Sequence, residues 1–175
     1  TGRGGNRPSI TLGELARLAQ GMPGFSFAPG QAPGLEHTAY FTPQQASYCN
    51  GTHVAEVEVD PFTGGVKILA YTVAHDSGNI INPLIVDGQV QGGVVQGLGG
   101  TLLEEIVYDE DGQPVNPNFV DYLMPAVGNV PPIEVGHMET PTPLNPLGIK
   151  GAGEGGAVGS PAALANAVED AVAGL

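Results

Sequence analysis

Cations are scarce in this sequence. Five Lys or Arg stand against 18 Asp or Glu, for a formal net charge of −13 over 175 residues. A chain this acidic repels polyanions and has no basic patch, which disfavours diffuse binding to nucleic acid or to an anionic membrane. Cysteine is nearly absent as well. Cys49 stands alone, which excludes a disulfide framework, a thiolate zinc site and an iron–sulfur cluster within the chain. No apolar run approaches the roughly 20 residues of a membrane-spanning helix, and no signal peptide opens the chain. A cytoplasmic location is therefore expected. The four histidines, His37, His53, His75 and His137, show no metal-ligand spacing, and no side-chain metal site is expected. Thr1 rather than Met stands first, as in a processed chain or one cut from something longer.

What the chain has in quantity is glycine, at 28 positions, and proline, at 16. Such a composition borders on low complexity, but 41% hydrophobic residues and a mean hydropathy of +0.05 argue for a folded domain. Residues 1–8 read as a flexible lead-in. Thr11 and Glu14 have the spacing of a capping box, and Leu12, Leu15, Ala16 and Ala19 follow at helical spacing, which predicts a short helix over 11–20. Residues 21–34, with three prolines and four glycines, predict a loop. An N-terminal arm over 1–46 with little core of its own is the expected first segment.

From residue 47 the pattern strengthens. Ala55, Val57 and Val59 alternate with Glu56 and Glu58, and Val66 to Ala74 forms a second β pattern across the turn Asp60–Gly65. Together they predict an antiparallel hairpin over 53–75. After Asn82-Pro83 an apolar stripe runs through Val90, Val94, Val95, Leu98, Leu102 and Leu103. Five glycines interrupt it, each costing about 1 kcal/mol relative to Ala in a helix interior, so close backbone packing is expected there. Residues 106–108, 119–124 and 133–138 are short strand candidates. Ser160-Pro161 reads as an N-cap and first turn, predicting a C-terminal helix over 162–172. The fold class is α+β, with antiparallel hairpins packed against a Gly-rich helix and a C-terminal helix.

Gly151, Gly153 and Gly156 spell G-x-G-x-x-G, but three prolines in 140–146 replace the buried strand that a dinucleotide fold requires before it. Glycines still let backbone amides approach an anion, next to a helix N-terminus. Glu154 is the only carboxylate between Glu139 and Glu169. Set among glycines, it suits a general base, and equally a glutamate that simply points to water. Gln89, Gln91 and Gln96 on the Gly-rich helix either read a polar ligand through their amides or serve only the helix. His53 reads as a packed or edge histidine. Asp109-Glu110-Asp111 reads as a solvated hairpin tip, because a calcium loop requires other ligand spacing.

Taken in order, the segments His53-Val54-Ala55-Glu56-Val57-Glu58-Val59-Asp60-Pro61, His75-Asp76-Ser77-Gly78 through Ile81-Asn82-Pro83, Gly88-Gln89-Val90-Gln91-Gly92-Gly93 with Val95-Gln96-Gly97-Leu98-Gly99, and Leu103-Glu104-Glu105 form a set. Asp121-Tyr122, Glu139-Thr140-Pro141 and Lys150-Gly151-Ala152-Gly153-Glu154 complete it. The set resembles the C-terminal part of the molybdopterin-binding large subunit of the xanthine dehydrogenase, aldehyde oxidase and carbon monoxide dehydrogenase family, nearly continuously from about 47 to 173. Residues 1–46 match only loosely.

The resemblance implies that 47–175 is the C-terminal portion of a molybdenum-cofactor-binding domain. It implies an oxidoreductase using molybdopterin, often as its cytosine dinucleotide, which hydroxylates an aldehyde, a nitrogen heterocycle or carbon monoxide with water as oxygen donor. Glu154 matches the family's catalytic base. Gln89 matches a glutamine near the cofactor, and Gly153 and Gly155 would bring backbone close to it. The remainder of the large subunit, and partners carrying iron–sulfur clusters and FAD, would complete such an enzyme, with activity absent from the isolated segment. Gly155-Gly156 follows the glutamate where xanthine-type members usually have Pro, which is more similar to the bacterial aldehyde oxidase and carbon monoxide dehydrogenase members. The alternative is a non-catalytic structural or subunit-docking piece of such an enzyme.

Overall fold

The computed structural model describes residues 9–21, 30 and 32–174. The chain divides into two units, Thr1–Thr42 and Pro43–Leu175. In the first, helix α1 spans Leu12–Leu18 and starts where the capping box places it. The Glu14 amide donates to Thr11 Oγ1 at 3.2 Å and the Thr11 amide donates to Glu14 Oε2 at 3.0 Å, so two orphan donors are satisfied reciprocally. No residue of α1 is buried. The lead-in at 1–8 and most of the loop expected at 21–34 lie outside the described residues.

The second unit is built on a three-stranded sheet in the order β1 (Asn50–Val59), β2 (Val66–Asp76), β3 (Ile133–Met138). β1 and β2 form the expected antiparallel hairpin. Its turn is held by Asp60, whose carboxylate accepts from the Phe62 amide at 2.9 Å and the Thr63 hydroxyl at 2.7 Å. Gly64 takes the positive φ of 72° that the tight return needs. The third strand joins β2 in parallel, from Tyr71 opposite Ile133 to Asp76 opposite Met138, so the sheet is mixed. A parallel neighbour needs a long crossover, and the helix α2 (Pro83–Leu102) supplies it. Asn82 caps α2 through Oδ1, which accepts from the Ile85 amide, and Pro83 follows at the first helical position.

Helix α3 (Gly155–Val172) packs on α2 and across the sheet. Tyr71 and Val73 from β2, Val90, Val94 and Leu98 from α2, and Leu164 from α3 form the buried core. The start of α3 corrects the expectation that Ser160-Pro161 opens the helix. The helix begins six residues earlier, with Glu154 as N-cap and Pro161 inside it. Pro161 has no amide to give the Ala157 carbonyl, and the Ser160 hydroxyl donates to that carbonyl instead, at 3.3 Å. The glycines that read as loop are what let α3 approach α2. A Cβ on Gly93 would lie 2.8 Å from both Gly156 Cα and the Ala157 nitrogen, and one on Gly156 would collide with the Val90 carbonyl.

Two further expectations are corrected. Residues 119–122 turn and 123–124 are irregular, with the Tyr122 amide donating to the Asn118 carbonyl at 2.8 Å. The segment 106–108 contributes only an isolated bridge, Tyr108 to Pro114. Both are apolar stretches with no neighbouring strand available among the described residues, and Ile106, Phe119 and Val120 remain exposed.

Candidate functional site

The glycine loop 148–155 is tied down at its first half and open at its second. Gly148 has a positive φ of 68°, and its carbonyl accepts from the amides of Asn79 and Thr142 at 3.1 and 3.2 Å. The Lys150 amide donates to the Ser77 carbonyl at 2.7 Å, and the Gly151 amide donates to the Ser47 carbonyl at 2.9 Å. Lys150 Nζ reaches Asp76 Oδ2 at 3.3 Å. Asp76 also accepts the amides of Gly78 and Thr140 at 2.9 and 3.1 Å. Burial alone would raise this carboxyl; those two amides and the Lys150 ammonium outweigh it and hold Asp76 well below the usual carboxylate range.

Beyond Gly151 the loop borders a cleft of about 490 Å³, lined by residues 48–51, His53, 151–155, Val158 and Gly159. Glu154 stands at its edge as the N-cap of α3. Its carbonyl accepts from the amides of Ala157 and Val158 at 2.9 and 3.2 Å, whereas its carboxylate makes no capping hydrogen bond and is exposed. The amides of Gly153, Glu154 and Gly155 have no acceptor among the described residues. They lie at the positive end of an 18-residue helix, where an anion is favoured.

Gly153, Glu154 and Gly155 line this cleft, and Gln89 approaches its loop from α2. Gln89, exposed on α2, faces the loop: a Cβ on Gly153 would come 3.6 Å from Gln89 Nε2. Glu154 follows Gly153 directly. Gly155 turns inward instead, and a Cβ there would collide with the His75 ring and lie 3.2 Å from Cys49 Sγ. Its missing side chain is thus accounted for by packing of α3 on β1 and β2.

Two histidines support the loop from below. His53 is partly buried, as a packed histidine should be, with Nε2 3.2 Å from the Gly155 carbonyl and Nδ1 3.0 Å from the Tyr71 hydroxyl. A carbonyl only accepts, so Nε2 carries the proton and Nδ1 accepts from Tyr71. Burial pushes His53 below the ordinary histidine value, partly opposed by the Gly155 bond, and pushes the Tyr71 hydroxyl up to about 12. His75 is 1% exposed, and its Nε2 has no partner among the described residues. Burial first, then the neighbouring His137 and His53, lower its pKa. His137 lies beside it on β3, ring centroids 6.4 Å apart, and pairs through Nε2 with Asp87. Sequence reading missed His75 as part of this floor, since only the parallel β2–β3 register brings the two rings together. Among the described residues, no cluster of three metal-ligating side chains occurs.

The chain belongs to the molybdopterin cofactor-binding domain family, whose family model matches residues 3–131. It is a fragment of the molybdenum-binding large subunit of that family. Among relatives, it is 45% identical over 143 residues to the nicotine 6-hydroxylase large subunit of Paenarthrobacter nicotinovorans, covering 82% of this chain and 18% of that protein. It is 35% identical over 165 residues to the carbon monoxide dehydrogenase large chain of Afipia carboxidovorans, covering 94% and 20%. Among solved structures, quinoline 2-oxidoreductase from Pseudomonas putida 86 superposes with a TM-score of 0.77 at 45% identity, over 84% of this chain and 19% of that one. Reconstituted CO dehydrogenase from Oligotropha carboxidovorans gives a TM-score of 0.83 at 35% identity, over 94% and 20%. The chain therefore spans about a fifth of the length of these relatives.

The residues present fit a molybdopterin. A pterin bearing a phosphate needs hydrogen-bond donors, and the amides of Gly153, Glu154 and Gly155 with the Gln89 carboxamide are such donors.

Proposed function

We propose that this chain is the C-terminal part of a molybdenum hydroxylase in which Glu154 is the general base. The observation that carries the reading is the Glu154 carboxylate, free of any capping bond, in one cleft with the unpartnered amides of a glycine loop whose Gly153 the Gln89 carboxamide faces. The reaction class is hydroxylation of a substrate carbon by water, which releases two electrons and two protons. The molybdenum cofactor, when bound, supplies the acceptor for the electron pair. Glu154 takes one proton from the attacking water onto its carboxylate, as an ionised carboxylate within hydrogen-bond reach can. The loop amides and Gln89 hold the cofactor's anionic and polar edges. The anionic phosphate is then met by backbone dipoles rather than side-chain charge, which reconciles it with a net charge of −13.

The substrate class favoured is a nitrogen heterocycle. The relatives at 45% identity are named for nicotine and quinoline, both nitrogen heterocycles, ahead of the carbon monoxide enzymes at 35%. Electrons leave through iron–sulfur and flavin partners in this reading, because one cysteine cannot hold a cluster. The remaining four-fifths of the large subunit would supply other cofactor contacts, and the cytosine dinucleotide form suits a bacterial member. The test is Glu154→Gln in the assembled enzyme at equal molybdenum content. Loss of general-base catalysis lowers kcat by about 10²- to 10⁴-fold. Near-wild-type kcat would remove the base assignment and leave the structural or docking role.

A further inference from the structure

We propose that His53 is the positioning residue for Glu154: its Nε2–H, bonded to the Gly155 carbonyl, fixes the first turn of α3 and thereby the carboxylate one residue before it. This rests on the general-base reading above. Three observations carry it. The Glu154 side chain has no capping bond of its own, so its placement depends on the backbone that bears it. That backbone is bonded at Gly155 to His53 at 3.2 Å, across 102 residues of sequence. The tautomer follows from the Gly155 carbonyl, which only accepts, and leaves Nδ1 to accept from the Tyr71 hydroxyl, in the core of β2, at 3.0 Å.

The fit of ring and helix is close. A Cβ on Gly159, one turn beyond Gly155, would lie 2.6 Å from His53 Cδ2 and 2.9 Å from its Nε2. The imidazole therefore lies flush under the first turn of α3, and the ring edge of Tyr71 meets it in a T-shaped pair at 5.9 Å. The chain Tyr71 O–H to His53 Nδ1, then His53 Nε2–H to Gly155 O, joins β2, β1 and α3 in one line. An isolated structural histidine would serve as well at any point of the helix. This one is bonded to the residue that follows the base.

The experiment uses the full-length large subunit in the assembled enzyme, with His53→Leu, His53→Gln and Tyr71→Phe. Steady-state kinetics, molybdenum content and hydrogen exchange of the amides over 153–158 are measured together. His53→Leu should lower kcat by about 10- to 100-fold, the scale of a small misplacement of a reacting group, with KM and molybdenum content nearly unchanged. Exchange should rise at 153–158 and not elsewhere. His53→Gln, whose carboxamide can still donate to the carbonyl, should recover part of kcat and of the protection. If His53→Leu does not assemble, Tyr71→Phe keeps the ring but removes the hydroxyl that holds Nδ1, and should give a smaller loss in the same direction. Unchanged kcat in His53→Leu, beside an inactive Glu154→Gln, would overturn the proposal. So would a loss that Gln does not relieve and that accompanies exchange throughout the chain. Retained turnover in Glu154→Gln would instead remove the reading on which the proposal rests, while local exchange in His53→Leu still reports whether the bond holds α3.

Discussion

Lys150 Nζ lies 3.3 Å from Asp76 Oδ2, joining the glycine loop to the end of β2 across 74 residues of sequence. Both side chains are largely buried, at 14% and 6% exposure. Removing one partner strands the other charge, so Asp76→Ala should destabilise the chain by about 3–5 kcal/mol. It also leaves the Gly78 and Thr140 amides without their acceptor. Urea unfolding measures the change. A loss under about 1 kcal/mol would show that water replaces the carboxylate at little cost.

The glycines of α2 divide into two kinds, and substitution should separate them. A Cβ on Gly92 meets nothing within 4 Å, so Gly92→Ala should stabilise by about 0.5–1 kcal/mol through helix propensity. Gly97 faces Ser160 of α3, and a Cβ there would overlap its hydroxyl. Gly97→Ala should therefore destabilise by about 1–3 kcal/mol as the helices are forced apart. Thermal unfolding of the two variants side by side tests the contrast, and equal shifts would contradict it.

Gln89 offers a cleaner probe of the glycine loop than any buried residue. It is exposed on α2, so Gln89→Ala should leave unfolding free energy within about 0.5 kcal/mol. Its carboxamide faces Gly153, and its loss should lower the molybdenum content of the assembled enzyme at equal protein. Full content in the variant would show that the amide holds no part of the cofactor.

The hairpin, the α2 start at Asn82-Pro83 and the α1 capping box were legible because each is written in adjacent residues. The α3 start was not. Gly155, Gly156 and Gly159 have poor intrinsic helix propensity, and their helix is stabilised by contact with Val90, Gly93, His75 and His53, none of which is local. Glu154 and Gln89 could be picked out by motif order, but spacing alone could not show that Gln89 faces the glycine before Glu154. The Asp76–Lys150 pair and the His53–Gly155 bond leave no sequence signal at all, since both depend on how β1, β2 and the loop come together. The strand expected at 119–124 failed for a related reason: β propensity without a pairing edge leaves turns.

Stability should fall with acid in two separate steps. His53 and His75 are both held below the ordinary histidine value of 6.5, chiefly by burial. The unfolded chain then binds protons that the folded chain refuses, so their contribution is full above about pH 6.5 and declines as pH drops below it. Asp76 acts lower down. Its folded pKa lies below the ordinary value of 3.8, so its contribution is intact above that value and is lost as pH falls further. The urea midpoint should thus begin to decline as pH falls below about 6.5, and Asp76 should add a further decline below about pH 4. His75→Gln should shrink the upper step and spare the lower one. A midpoint that stays level between about pH 7 and pH 5 would mean that both imidazoles titrate in the folded chain as they do in water.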